Sequence, residues 1–278
     1  MSNEVKKVTG KKYLQNFLKY RFLLSELVKK NIKLQYRNSV LGVFWTFLQP
    51  LLTMLVLVLV FGQVFGRDIA RVLNYPTYLL TGRLIYEFFT QSTKKAMRSI
   101  RTNATIVKKV YVPKYIYPLS NIISTFVTFL ISLTVLALVM GYYMIFTDTP
   151  MRLTPYVFLS VVPIFILLIL CLGVGMLIAT LEVFFRDFEY LYDVFCTLLF
   201  YMTPIFYDVE QMHLSVPVKI VLMANPLYSI VSMFRSCVLF GEMWNWNWFF
   251  YAFGISVFFL ALGFLVFYKK QDKFILHI

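Results

Sequence analysis

The sequence is poor in charged residues and in the residue types that build metal sites and disulfide frameworks. Only 14% of its 278 residues are charged, against about 25% in soluble domains. The three cysteines, Cys171, Cys196 and Cys237, are scattered, and the two histidines, His213 and His277, lie far apart. This spacing fits neither a set of disulfides nor a metal-ligand cluster. We therefore expect no metal and treat the cysteines as small apolar residues.

The sequence also lacks the short motifs of common enzymes. It contains no G-x-x-x-x-G-K-[ST] loop, so it cannot hold nucleotide phosphates by the P-loop route. It contains neither G-x-S-x-G nor H-E-x-x-H, and nothing resembles a nucleophile with its base. We therefore expect no catalytic residue and no cofactor in this chain.

What is abundant is apolar residues, at 60% of the chain, against about 45–50% in soluble domains. A bilayer core takes about 20 helical residues, and lipid forces the backbone to satisfy its own hydrogen bonds. These rules predict an all-α integral membrane protein with six transmembrane helices. The predicted spans are about 42–65, 75–92, 118–146, 156–181, 190–206 and 248–268, of which 75–92 is the weakest because Arg83 and Glu87 interrupt it.

The positions of lysine and arginine predict the orientation of these spans. If both termini lie inside, 21 of the 27 cations fall in inside segments, as the positive-inside rule requires. A full crossing by 207–247 would move the last three lysines outside, so this segment is predicted to be re-entrant from the outer face. The predicted layout is a cytoplasmic head (1–41), a membrane domain (42–268) and a cytoplasmic tail (269–278).

The segment 17–37 has the pattern of a basic amphipathic helix. Its charged residues gather on one side: Lys19, Glu26, Lys29, Lys30, Lys33 and Arg37. Its apolar residues gather on the other: Phe17, Tyr20, Leu24, Leu27, Val28 and Ile32. Such a helix lies in the interfacial plane of a membrane. Two interpretations stay open, a simple anchor or a lever that also contacts a cytoplasmic partner.

The segment Lys94–Ser120 carries seven cations and no acid. Thr102 and Asn103 offer capping side chains for a new short helix, which Pro113 would end. Nucleic acid is a poor partner for it, because no aromatic platform or recognised fold accompanies the cations. The cations either fix the topology alone or also dock a protein.

Two smaller groups of charges complete the candidates. Arg186, Asp187 and Glu189 form a second inside loop, in which Asp187 is predicted to cap the next helix and Arg186 to pair nearby. This loop has either a structural or a gating role. Arg83 and Glu87, four residues apart, can neutralise each other on a helix.

Five stretches of the chain resemble, in order, the type-2 ABC exporter permeases that export lipid-linked polysaccharides. The stretches are "YRNSVLGVFWTFLQPLLTMLVLVLVFGQVF", "YPTYLLTGRLIYEFF", "SIRTNATIVKKVYVPKYIYPLSN", "VFFRDFEYLYDVFCTLLFYMTPIFYD" and "NPLYSIVSMFRSCVLFG". They extend over about residues 30 to 245. The resemblance is greatest to the bacterial permeases for O-antigen, capsule and teichoic acid.

This resemblance implies a bacterial cytoplasmic-membrane complex with two copies of this chain and two copies of a separate ATPase that binds ATP and Mg. It implies a coupling helix seated on that ATPase, formed by Thr102, Asn103, Ala104, Ile106, Val107, Lys108 and Lys109. The interface helix would include Tyr20, Leu24, Leu27, Lys30, Lys33 and Arg37.

The same resemblance implies that the first and fifth spans line the export path. The matching aromatic residues are Trp45, Phe47, Phe200, Tyr201, Phe206 and Tyr207. Arg83 departs from the family pattern, and an anionic polymer would explain it. Two alternatives stay open: a type-2 permease for a drug or small lipid, and a membrane-embedded lipid-modifying enzyme.

Overall fold

The computed structural model describes residues 10–37, 39–62, 74–109, 112–146, 154–209 and 215–277. Within these residues every regular element is helical and there is no β-strand, so the all-α prediction is confirmed. The α-helices are α1 (Gly10–Tyr36), α2 (Trp45–Phe61), α3 (Tyr75–Thr102), α4 (Ala104–Lys109), α5 (Ile116–Phe146), α6 (Val161–Phe184), α7 (Phe188–Met202), α8 (Val216–Met223), α9 (Pro226–Arg235), α10 (Trp246–Lys270) and α11 (Phe274–His277).

Four helical segments of the described chain are long and apolar enough to cross a membrane. They are Gly42–Phe61, Ile116–Phe146, Pro155–Phe184 and Trp246–His277. A bent pair, Val216–Met223 with Pro226–Phe240, would give a fifth if it were one span, but its two parts meet at 80°. The full count of six predicted spans therefore stays a prediction, because α3 and α7 do not meet the same standard.

Those two helices fall short for different reasons. α3 has 28 residues, but it is too polar, because Arg83, Glu87 and several hydroxyl and amide side chains lie within its first five turns. α7 has only 15 residues, which is about 22 Å at 1.5 Å per residue. The predicted span 190–206 was too long, because the helix ends at Met202 and Pro204 follows. Proline disfavours α geometry in the residue before it.

α3 occupies the centre of the molecule and packs against α5 and α6, while α1 lies along α5. α6 and α10 form the closest helix pair, because glycine lets their backbones touch. A Cβ atom added at Gly263 would overlap the carbonyl oxygen of Gly173. Small residues allow this kind of close approach between membrane helices.

The helices α2 and α7 have large exposed apolar surfaces in the single chain. On α2 the exposed residues are Leu52, Leu55, Val56, Leu59 and Val60, and on α7 they are Leu191, Val194, Phe195, Leu198 and Tyr201. These faces are available to lipid or to a second polypeptide.

Candidate functional site

The short helix α4 lies at the end of the molecule where α3 ends, which we call the basic end. α3 runs without interruption to Thr102, and α4 starts after Asn103. The predicted capping of α4 by side chains is wrong. The Asn103 amide instead donates to the Ser99 carbonyl, and the Thr102 hydroxyl donates to the Arg98 carbonyl. Both side chains therefore bond back to carbonyls in the last turns of α3.

α4 presents one apolar side chain outward and keeps another inside. Ile106 is 38% exposed, whereas Val107 is 7% exposed and belongs to the chain's own packing. Lys108 and Lys109 are exposed beside Ile106. An apolar residue with cations around it is a surface suited to a protein partner.

Arg101 joins α3 to two other helices at the basic end. Its guanidinium donates to Glu189 Oε2 at 2.6 Å, at the start of α7. It also forms an ion pair with Glu182 Oε1 at 3.0 Å, near the end of α6. The Glu182 side chain has no exposed surface, so Arg101 supplies the charge that makes its burial tolerable. The hydrogen bond to Glu189 raises the pKa of Arg101, and this favours its charged form further.

Two further ion pairs join α3 to α7. Arg98 Nη2 lies 2.6 Å from Glu189 Oε1, and Lys94 Nζ lies 2.8 Å from Asp193 Oδ1. Together with Arg101, these cations stand one turn apart along α3. We call this set of contacts the ion-pair ladder. It connects the helix that leads into α4 with the first two turns of α7.

The loop between α6 and α7 differs in detail from its prediction. Asp187 occupies the N-cap position of α7, but its side chain makes no capping hydrogen bond. Arg186 is exposed and forms no ion pair within the described part of the chain. Of the three loop residues, only Glu189 takes part in the ladder. Glu189 pairs with Arg98 and Arg101 of α3 and not with Arg186, because the α3 side chains project onto the start of α7.

Along α1, the predicted apolar and charged faces are separated. Tyr20, Leu24 and Leu27 are half-buried, and Lys30, Lys33 and Arg37 are exposed. The end of α1 is fixed to α3 by a hydrogen bond from Lys95 Nζ to Gln35 Oε1 at 2.9 Å. This hydrogen bond places the end of α1, with its exposed cations, at the basic end.

Arg83 lies in the interior part of α3 and pairs with Glu87. Its Nε atom is 3.6 Å from Glu87 Oε2. The guanidinium also lies over the rings of Phe200 and Tyr86, at 5.5 and 5.9 Å from their centroids. The predicted i,i+4 pair is present. Glu87 therefore neutralises much of the charge of Arg83 within the chain.

The six aromatic residues predicted to line a path do not share one environment. Trp45 and Tyr201 are 41% and 60% exposed. Phe47 and Phe200 are half-buried against the core. Phe206 and Tyr207 are only 7% exposed and pack inside the chain. The last two therefore do not present a surface to a substrate in this structure.

Arg235 is a central residue that the sequence did not single out. It is almost fully buried on α9, with 4% exposure. Its guanidinium donates to the carbonyls of Pro204, Ile205 and Tyr78 and to the Thr81 hydroxyl, at 2.6 to 3.2 Å. Its charge lies over the Tyr78 ring, 3.4 Å from the centroid. The sequence signal that could have identified it is an arginine inside the apolar stretch "YSIVSMFRSCVLF" of the predicted re-entrant segment.

These features define a multi-pass helical membrane protein with a small exposed helix at its basic end. The family model for the ABC-2 type transporter matches residues 23–239. This match covers more than half of the chain and includes α4, the ladder and Arg235. The chain therefore belongs to the ABC-2 type transporter family.

Curated relatives are similar along most of the chain. The O-antigen export system permease protein RfbA of Myxococcus xanthus is 31% identical over 223 residues, which is 80% of this chain and 82% of that protein. A protein of the same name from Klebsiella pneumoniae is 27% identical over 257 residues, 91% and 93% of the two chains. The polysialic acid transport protein KpsM of Escherichia coli is 24% identical over 250 residues, 86% and 87% of the two chains.

Proposed function

We propose that this chain is the membrane-spanning permease subunit of an ATP-driven exporter that moves a lipid-linked polysaccharide across the bacterial cytoplasmic membrane. The observation that carries this proposal is the similarity to export permeases named for O-antigen and polysialic acid, which extends over 80% or more of the chain. The family model matches residues 23–239, from within α1 to beyond α9.

The active assembly in this proposal contains two copies of the chain and two copies of a separate ATPase. The ATPase supplies the P-loop that the sequence lacks and binds ATP and Mg. Each permease copy crosses the membrane six times, with α8 and α9 re-entering from the outer face. Both termini lie on the cytoplasmic side, and so does the basic end.

Coupling in this mechanism starts at α4. Ile106 enters a pocket of the ATPase, and Lys108 and Lys109 lie at the rim of the contact. A displacement of α4 reaches α3, and the ion-pair ladder passes it to the start of α7. In this mechanism the exposed apolar faces of α2 and α7 meet the second permease copy, so a tilt of α7 changes the spacing between the two copies. The exposed aromatics Trp45 and Tyr201 then offer flat apolar faces to sugar rings.

The pyrophosphate of the lipid carrier binds at the charged face of α1. Lys33 and Arg37 are exposed there, and cations at a membrane interface attract phosphate. Arg83 is the weaker candidate for an anion contact, because Glu87 already pairs with it.

The test of this proposal is the substitution Ile106→Asp, studied with the ATPase encoded beside the permease. Wild-type permease should co-purify with that ATPase in equal numbers and show ATP hydrolysis only in the complex. Ile106→Asp should insert normally and lose at least about tenfold in affinity, because a buried unpaired charge costs several kcal/mol. The control variants Lys108→Gln and Lys109→Gln should change affinity much less, since rim charges chiefly alter association rate and salt dependence. Normal binding by the Ile106→Asp variant would show that α4 is not the docking helix.

A further inference from the structure

A partly open cavity lies within the single chain, between α1, α2, α3 and α5. Its volume is about 50 Å³. That is room for about three water molecules. It shares the Trp45 side chain with the proposed path, but none of the steps above uses its interior.

The walls of the cavity combine apolar side chains, such as Leu84, Phe88 and Phe129, with two facing stripes of polar side chains at helical spacing. Glu87 and Gln91 face it from α3, one turn apart, and Thr125, Thr128 and Ser132 face it from α5. Spacings of three and four residues place side chains on one face of a helix. Polar groups inside a membrane domain are costly. Five such side chains on two facing stripes therefore indicate a binding site.

The oxygen atoms on these walls are ready to accept hydrogen bonds. The Thr128 hydroxyl gives its proton to the Ser124 carbonyl at 3.1 Å, and Thr125 and Ser132 make the same kind of bond within α5. Each hydroxyl oxygen therefore keeps lone pairs for another donor. The amides of Gln49 and Gln91 donate to Glu87 Oε1, at 3.1 and 2.9 Å. Their carbonyl oxygens add further acceptors.

The charge of the cavity favours an uncharged ligand. Glu87 is the carboxylate on its wall, which disfavours a phosphate. Arg83 lies 3.6 Å from Glu87 Oε2 and offsets this negative charge, which reduces the attraction for an ammonium group. A neutral molecule with several hydroxyl groups matches the lining, because each hydroxyl can donate to these acceptors.

The mouth of the cavity lies toward the basic end and has an aromatic rim. Gln35, Trp45 and Gln49 line it and are exposed. Because Lys95 holds Gln35, the mouth is close to the charged face of α1. Glu87 is two turns of α3 from Lys95, or about 12 Å, so the cavity reaches into the adjacent part of the membrane. An indole at the rim can cover the apolar face of a ring whose hydroxyls point inward.

We propose that this cavity binds the hydroxyl edge of an uncharged sugar or polyol ring carried by a lipid headgroup, with Trp45 against the face of the ring. The volume excludes a whole glycan and admits one edge of one ring. Two sources share this chemistry, the first sugar of the lipid-linked substrate and the polyol headgroup of a membrane lipid. Only the first source rests on the proposed function.

The test is photo-crosslinking of the unmodified chain with its ATPase in phosphatidylcholine nanodiscs. Three probes carry a diazirine on the headgroup: a polyprenyl-phosphate-linked glucose, phosphatidylinositol and phosphatidylethanolamine. Peptides of α3 and α5 that contain the polar stripes should be labelled by at least one hydroxyl-rich probe, several-fold above phosphatidylethanolamine. Labelling by the glucose probe alone identifies the substrate as the source, and labelling by phosphatidylinositol identifies a membrane lipid.

Matched variants locate the binding within the cavity. Thr128→Val keeps the shape of the side chain and removes its hydroxyl. It should reduce labelling roughly threefold to tenfold, which is the change in affinity expected from the loss of one hydrogen bond. Ser132→Ala should act in the same direction. Thr134→Val is the control, because Thr134 is on the same helix with the same bond to its backbone but lies outside the cavity.

Two outcomes would overturn the inference. One is equal labelling by phosphatidylethanolamine. The other is the absence of labelled peptides from the two stripes, which would leave a cavity for water alone. Labelling is measured without export, so a complex that is labelled but moves no glycan would contradict the proposed function and keep the site.

Discussion

Arg235 joins three parts of the chain at the end opposite to α4. Its hydrogen bonds reach α3 at Tyr78 and Thr81 and reach the turn after α7 at Pro204 and Ile205. The planar guanidinium carries five N–H donors in a fixed fork, whereas a lysine ammonium carries three on one nitrogen and cannot reach the same spread of acceptors. Gly82 makes room for it, since a Cβ atom there would lie 2.7 Å from Arg235 Nη2. Its sequence neighbours do not reveal this role, because Tyr78 is 157 residues away.

We predict that Arg235→Lys lowers the free energy of unfolding by at least about 2 kcal/mol. The reason is that buried carbonyls lose hydrogen bonds from a charged donor. The measurement is thermal unfolding of the purified permease in detergent. Arg186→Lys is the matched control, because Arg186 is exposed and should tolerate the change. Equal unfolding temperatures for both variants would refute the role given to Arg235.

At the scale of elements, the ion-pair ladder is the most direct link between α3 and α7. Its members come from segments far apart in the sequence, such as Arg101 and Glu189, which are 88 residues apart. Only the Lys94–Asp193 pair is independent of the shared carboxylate of Glu189. This pair therefore allows a clean exchange of charges.

We predict that Lys94→Asp and Asp193→Lys each reduce export roughly twofold to tenfold, because each puts like charges together at the link. The effect is modest since both side chains are partly exposed. Binding of the ATPase should not change, because α4 is untouched. The double exchange should recover most of the export, measured as glycan delivered per ATP hydrolysed. If the double variant exports as little glycan per ATP as the single variants, α3 and α7 are not linked through this pair.

For the individual elements, helical periodicity and segment length predicted where helices form better than they predicted which side chains contact each other. The amphipathic pattern of 17–37 and the short helix at 104–109 both follow from local sequence, and both are helical in the structure. The end of α7 was misplaced, since apolar residues continue to Phe206 after the helix stops at Met202. The capping roles of Thr102, Asn103 and Asp187 were wrong, because the first two side chains donate to carbonyls of α3 and the Asp187 side chain makes no capping hydrogen bond. Local patterns do not decide between such partners.

At the scale of the whole molecule, the direction of the last helix depends on the bent pair of α8 and α9. The 80° bend at the break between them is large for a single crossing. In addition, the guanidinium of Arg235 is buried against α3 and not in lipid. Both observations favour a re-entrant pair over a complete crossing by α8 and α9.

We predict that Ser215→Cys is labelled by an impermeant thiol reagent in intact cells, and that Lys270→Cys is labelled only after the membrane is opened. Both positions are exposed. The native cysteines Cys171, Cys196 and Cys237 are buried, so background labelling should be low. Labelling of Lys270→Cys in intact cells would show that α8 and α9 cross the membrane completely.

The measurement that tests the central claim most directly is transport by the purified permease–ATPase complex in liposomes. Lipid-linked polysaccharide is supplied on the side of the ATPase, and its arrival in the opposite leaflet is followed with ATP and Mg present. We predict transport that requires ATP, requires both polypeptides, and stops when the P-loop lysine of the ATPase is replaced. A complex that hydrolyses ATP and moves a small lipid or drug, but no polysaccharide, would contradict this account. Transport by the permease alone would contradict it as well.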